Sequence, residues 1–155
     1  MSVSQAVIRA ADVHDLDALY ALEELCFAER RFRKEHILYI LKNPRASSFV
    51  YENGSIVGAL MLLGESGVTR VISVGVHPRH RRQGIGAHLM AVAEDEARRA
   101  HAGEVRLEVN VNNPSALGFY RALGYELVAR LPRYYSWGDD AFAMRKPVAL
   151  PARKP

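Results

Sequence analysis

Apolar residues along this chain recur at two spacings, and the points where one gives way to the other mark out its elements. Val7 and Ile8 open a short apolar run that reads as a strand. Asp12 then stands at an N-cap position before Leu16, Leu19, Tyr20 and Phe27, which recur at helical spacing. The charged stretch Glu29-Arg30-Arg31-Phe32-Arg33 reads as a loop or helix junction. After it, Ile37, Leu38, Ile40 and Leu41 predict a second helix that ends before Pro44, because a residue preceding proline is pushed out of the helical region. Phe49-Val50-Tyr51-Glu52 and Ile56-Val57-Gly58-Ala59-Leu60 flank Asn53-Gly54. That pair tolerates the positive φ angles of a tight type I′ turn, so a β-hairpin is expected.

Val68 to Val76 is rich in β-branched residues and stops at Pro78, which has no backbone donor with which to continue a ladder; it reads as a central strand. From Gly86 to about Ala100, Leu89, Val92, Ala93 and Ala97 make an apolar helical stripe, with Glu94 and Arg98, and Asp95 and Arg99, spaced to pair across one turn. Val105, Leu107 and Val109 alternate with Arg106, Glu108 and Asn110, and a further helix follows from about Ser115 to Gly124. Short strands around Glu126 to Ala129 and Ala141 to Arg145 complete a mixed sheet with helices packed on it, an α/β fold. A single domain over residues 1–150 is expected. The tail after Pro147 reads as frayed, with 151–155 flexible.

Composition narrows the class without naming a chemistry. At 155 residues, 49% hydrophobic and 25% charged, the chain is of ordinary globular character and long enough to bury a core without disulfides. It shows no signal-peptide pattern and no apolar run of membrane-spanning length, so a cytoplasmic protein without a membrane partner is expected. The single Cys26 has no internal partner for a disulfide. The net charge of +4 is spread along the chain and accompanies no nucleic-acid-binding motif, so no direct nucleic-acid binding is inferred. The six histidines show no metal-ligand spacing, His77 and His80 read as turn residues, and no metal is expected.

The chemistry begins at Arg81-Arg82-Gln83-Gly84-Ile85-Gly86-Ala87, a glycine-rich turn between a predicted strand and a predicted helix. Such a turn lets backbone approach a phosphate, and the helix start favours negative charge. The dinucleotide fingerprint fits poorly because Leu89 stands where it needs a third glycine. A P-loop fits poorly because no Lys-Ser/Thr pair follows.

In this context the chain resembles the GNAT superfamily of acetyltransferases, whose motif Arg/Gln-x-x-Gly-x-Gly/Ala matches Arg81, Gly84 and Gly86. From Val74 to Pro147 it is most similar to protein N-terminal acetyltransferases of the ribosomal-protein-modifying type. The resemblance implies a mostly antiparallel sheet with a splayed pair of strands at the cofactor, flanked by about four helices, and acetyl-CoA as co-substrate. It places pantetheine on Val74-Gly75-Val76, the pyrophosphate on the loop Arg82 to Ala87 (Arg82, Gln83, Gly84, Ile85, Gly86, Ala87), and a second cofactor contact on Asn113. A splayed strand would offer its amides to pantetheine as an added strand does, and a fixed N–H would stabilise the oxyanion of acyl transfer.

The resemblance also assigns Glu108 as proton acceptor, Tyr120 as proton donor to the departing sulfur, and Arg133-Tyr134-Tyr135 as a cover over the incoming peptide N-terminus. The residues alone leave alternatives open. Glu108 could be an exposed polar position on a half-buried strand. Tyr120 shares helical core spacing with Ala116, Phe119 and Leu123, and as a donor it would move a proton uphill by roughly 2 kcal/mol. The aromatic segment could be an ordinary loop. Cys26 has no histidine partner and reads as a core thiol, which favours direct transfer in a ternary complex. Where relatives carry a Pro- and aromatic-containing substrate loop, Cys26 to Phe32 is charged here. The implied acceptor is a protein N-terminal amine, a ribosomal protein among the options, with a polyamine, amino acid, aminoglycoside or lysine side chain as alternatives. A non-catalytic CoA sensor is disfavoured by the presence of both Glu108 and Tyr120, and a monomer or homodimer is expected.

Overall fold

The computed structural model describes residues 5–150, so the segment expected to be a flexible tail, 151–155, lies outside the described residues. Among the described residues there are seven strands and four α-helices. The strands are β1 (Val7–Ala10), β2 (Ala46–Asn53), β3 (Ser55–Glu65), β4 (Val68–Val76), β5 (Glu104–Asn110), β6 (Glu126–Leu131) and β7 (Ala141–Pro147). The helices are α1 (Leu16–Phe27), α2 (Lys34–Lys42), α3 (Ile85–Arg99) and α4 (Pro114–Ala122). The sheet order is β1-β2-β3-β4-β5-β7-β6, with β4 and β5 parallel and antiparallel pairing for β1 with β2, β2 with β3, β5 with β7 and β6 with β7. The chain divides into two compact units, Met1–Gly64 with Ile72–Ala93 and Glu65–Val71 with Glu94–Pro155, the division passing through β4 and α3.

In the first unit, Asp12 opens the helical segment as its position predicts. It caps a single 3₁₀ turn, Val13–Asp15, that leads into α1; its carboxylate accepts from the His14 N–H at 2.8 Å while Asp15 returns the bond to the Asp12 N–H. The apolar stripes of α1 and α2 meet β2 and β3 in a core of Leu19, Leu22, Ile37, Val50, Ala59 and Met61. The expected hairpin forms, but not as a type I′ turn. Gly54 has φ +75 whereas Asn53 is not left-handed, and the register slips so that Tyr51 faces Gly58 while Glu52 faces Ile56. A bulge at Val57 takes up the turn that two positive φ angles would otherwise make.

In the second unit, β5 alternates as predicted: Val105, Leu107 and Val109 are buried, and Arg106, Glu108 and Asn110 point to the other face. The i to i+4 ion pairs expected along α3 are replaced by Asp95 with Arg98 and Glu96 with Arg99, both one residue closer. Glu94 turns away from Arg98 because it is largely buried, and there it meets Lys146 Nζ at 2.9 Å and accepts from the Tyr125 hydroxyl at 3.4 Å. The frayed tail predicted directly after Pro147 is also corrected. Val148 is buried and donates its N–H to the Gly103 carbonyl at 3.0 Å, an anchor that holds the chain past the end of β7.

Candidate active site

The end of β4 and the start of α3 carry the residues assigned to acetyl-CoA, and the local geometry explains their types. Gly75 is small because Cys26 lies against it: a Cβ there would come within 3.1 Å of the Cys26 sulfur. The thiol donates to the Val76 carbonyl at 3.4 Å, and burial raises its pKa, so Cys26 is held as a packed thiol. Arg81 Nε donates to the same carbonyl at 3.1 Å, tying the loop back to the strand that precedes it. Between them His77 caps a short 3₁₀ turn, its ring nitrogen accepting from the Arg79 N–H at 3.1 Å, so it acts as the turn residue expected.

In the loop itself Arg82 (φ +63) and Gly84 (φ +80) are both left-handed, and nothing lies within 4 Å of the position a Gly84 Cβ would take. Residues Arg81 to Gly84 are exposed, Ile85 is buried, and Gly86 and Ala87 are half-buried. The first turn of α3 has no acidic residue. Open backbone, two arginines and a helix start whose first turn carries no acidic residue fit a phosphate-bearing ligand. The helix start is seated on β3, where a Cβ at Gly58 would lie 3.0 Å from Ile85 and 3.2 Å from Leu89.

The second unit holds the acid–base and acceptor candidates. Glu108 lies on β5 with its side chain only 13% exposed, and it is not the solvated polar residue its alternation alone would allow. Arg70, from β4, grips both of its oxygens: Nη2 donates to Oε1, and Nε donates to Oε2 at 3.3 Å. The same Nη2 donates to the Tyr134 hydroxyl at 3.3 Å, so Glu108, Arg70 and the Arg133-Tyr134-Tyr135 segment are gathered at one centre. Carboxylate pairing raises the Arg70 pKa further, which keeps the guanidinium charged.

Tyr120 is buried in α4 and sets its ring edge-on to both Phe119 and Tyr125; burial pushes its pKa up to about 12. Asn113 is the N-cap of α4, its side-chain oxygen accepting from the Ala116 N–H at 3.1 Å. Arg133 is left-handed (φ +50), and its N–H donates to Asp140 at 2.9 Å, which turns the chain into the aromatic run. Tyr134 packs edge-on to Tyr135, and Tyr135 stacks on Trp137 with ring centres 4.7 Å apart.

Sequence reasoning missed four contributors. Arg70 had a signal: it is the one charged residue in the strand Val68–Val76, and it shares with Glu108 the sheet face opposite buried Thr69 and Val71. Trp137 and Asp139 support the aromatic run, the indole N–H donating to the Asp139 carboxylate at 2.8 Å and Asn110 donating to it at 3.0 Å. Glu23 is buried in α1 and accepts from the Phe32 N–H and the Ser73 hydroxyl, both at 3.1 Å. It thereby straps the charged segment after α1 to β4. Tyr20, Phe32 and the charged residues Glu29, Arg31, Arg33, Lys34 and Glu35 line an open cleft of about 360 Å³ beside that strap.

Comparison with known proteins identifies the family. Residues 16–125 match the acetyltransferase (GNAT) family. The N-alpha-acetyltransferase of Sulfurisphaera tokodaii is 33% identical over 91% of this chain and 92% of its own. Among solved structures, Ard1 from Thermoplasma volcanium is 30% identical with a TM-score of 0.86, covering 93% of this chain and 98% of that one. The ribosomal-protein-S18-alanine N-acetyltransferase of Escherichia coli has the same fold at a TM-score of 0.85 and 22% identity, covering 97% and 99%. The chain belongs to the GNAT acetyltransferase family. It is an N-acetyltransferase, and acetyl-CoA is its co-substrate. Among the described residues no helix is long and apolar enough to cross a membrane.

Proposed function

We propose that this enzyme acetylates the α-amine at the amino terminus of a protein, by direct transfer within a ternary complex. The observation that carries the reading is Glu108, a largely buried carboxylate oriented by Arg70 and joined through it to Tyr134. An α-amino group has a pKa of roughly 8 and is mostly protonated at neutral pH, so attack requires a proton acceptor. Glu108 takes that role, directly or through one water. The S. tokodaii relative carries the name N-alpha-acetyltransferase, which supports the same acceptor here.

Bound acetyl-CoA supplies a thioester whose C–S bond breaks as the amine nitrogen forms the new amide. Val74, Gly75 and Val76 would offer backbone amides to pantetheine, the loop Arg82 to Ala87, its start fixed by Arg81, would hold the pyrophosphate, and Asn113 would add a second contact. Tyr120 is the group we assign to the departing sulfur. With its pKa near 12, full proton transfer to a thiolate of pKa about 8.5 would be uphill by roughly 5 kcal/mol. Tyr120 therefore acts by hydrogen-bond donation, and the proton comes finally from solvent. Arg133, Tyr134 and Tyr135 cover the acceptor terminus with rigid aromatic area.

The test measures CoA release with peptides bearing a free amino terminus, the same peptides with that terminus blocked, and a panel of polyamines, amino acids and aminoglycosides. Turnover is expected with the free peptides, with a ribosomal-protein N-terminal sequence included among them. Turnover on a polyamine or aminoglycoside and on none of the peptides would overturn the acceptor assignment.

A further inference from the structure

Arg70 has no role in the reading inherited from the family motif, yet it is the most heavily engaged side chain around Glu108. In the parallel ladder Arg70 stands opposite Arg106, and Arg106 turns to Glu104, its Nε donating to Oε1 at 2.8 Å. The two arginines therefore do not compete for Glu108. One edge of the Arg70 guanidinium takes both Glu108 oxygens, Nη1 reaches Glu65 Oε1 at 3.3 Å, and Nη2 also donates to the Tyr134 hydroxyl. Glu65 anchors the guanidinium from the side away from Glu108, so its plane is set from two directions.

From this arrangement we infer that Arg70 is a positioning residue for proton removal from the acceptor amine. The inference rests on Glu108 being the proton acceptor. A two-point contact stops the carboxylate rotating about its terminal bond, and it leaves a lone pair on each oxygen for the amine or a bridging water. The shared contact with Tyr134 sets the acceptor-covering segment in register with that carboxylate. Lysine could supply the charge, but it is a point donor and cannot reproduce the planar two-point grip.

The test is steady-state kinetics with a turned-over N-terminal peptide for Arg70→Met, Arg70→Lys, Glu108→Gln and the Arg70→Met/Glu108→Gln double variant, with thermal melts of each. Arg70→Met is expected to lower kcat at least tenfold with the KM for acetyl-CoA within twofold of wild type. Arg70→Lys should recover part of that loss, and the double variant should be no slower than Glu108→Gln alone. If Glu108→Gln is inactive while folded Arg70→Met keeps kcat within twofold, the inference is overturned and the base assignment stands. If Glu108→Gln keeps full turnover, the base assignment fails first. Should Arg70→Met not fold, Arg70→Lys decides: wild-type kcat there would overturn the two-point requirement, and a several-fold loss at unchanged KM would support it.

Discussion

Replacing Gly58 by alanine should damage both stability and cofactor binding, because this glycine is the seat on which α3 begins. The added methyl would lie 3.0 Å from Ile85 Cγ2, 3.2 Å from Leu89 Cδ1 and 3.3 Å from Tyr51 Cβ, all closer than ordinary van der Waals contact. Tyr51 cannot give way, since it is the residue paired with Gly58 in the β2–β3 ladder. Ile85 and Leu89 are 3% and 0% exposed, so any relief must come within the packed core, and the first turns of α3 are expected to shift with them. Forcing a methyl into so tight a contact costs about 1–3 kcal/mol. At about 2–4 °C per kcal/mol for a domain of this size, Tm should fall by about 2–12 °C. The same shift carries the start of α3 away from the Gly84 turn, so the KM for acetyl-CoA should rise several-fold while the KM for peptide changes less. Circular-dichroism melts and initial rates measure both. Gly103→Ala is the control: nothing lies within 4 Å of its Cβ position, and the change should stay under about 0.5 kcal/mol. A Gly58→Ala protein with wild-type Tm and KM would refute the close-packing argument.

Other substitutions and conditions test separate parts of the account. Gly118 lies inside α4 with open space around its Cβ position, so Gly118→Ala should raise stability by about 0.5–1 kcal/mol in urea unfolding; a decrease would show that the position needs glycine. Glu23→Ala leaves the Phe32 N–H and the Ser73 hydroxyl without their acceptor and should cost about 1–3 kcal/mol. Hydrogen exchange at Phe32 should accelerate, and unchanged protection would contradict the strap. Burial holds Tyr120 and Tyr135 up at about 12 and raises Tyr125 further, against about 10 in the unfolded chain. Their folded pKa values are raised, so this stabilisation is fully present below pH 10 and is lost as pH rises through 12. Phenolate absorbance of the folded protein should therefore show fewer than its seven tyrosines titrating near pH 10. All seven titrating together there would exclude these burials.

The elements most legible in the sequence are those in which one local rule acts alone. β4 runs from Val68 to Val76 as its β-branched residues and Pro78 predict, α3 opens at the glycine turn, and β5 buries alternate residues. Legibility fails where a distant partner outbids the local rule. Glu94 leaves Arg98 for Lys146 and Tyr125, and Val148 extends order beyond Pro147 by pairing with Gly103. The hairpin turn kept its glycine but not its type, because a bulge at Val57 supplied the twist that two left-handed residues would have given. In the candidate site, the motif residues were visible through family resemblance, whereas Arg70 was not. Its meaning depends on a pairing between strands far apart in sequence, of which the chain shows only half: a single charge among β-branched neighbours.

The proposed function turns on the acceptor being an α-amine. A peptide with a free amino terminus and one internal lysine, treated with enzyme and acetyl-CoA and then fragmented in a mass spectrometer, reports where the acetyl group has gone. Acetylation is expected at the N-terminal nitrogen with the lysine unmodified. Acetylation confined to the lysine side chain would contradict it.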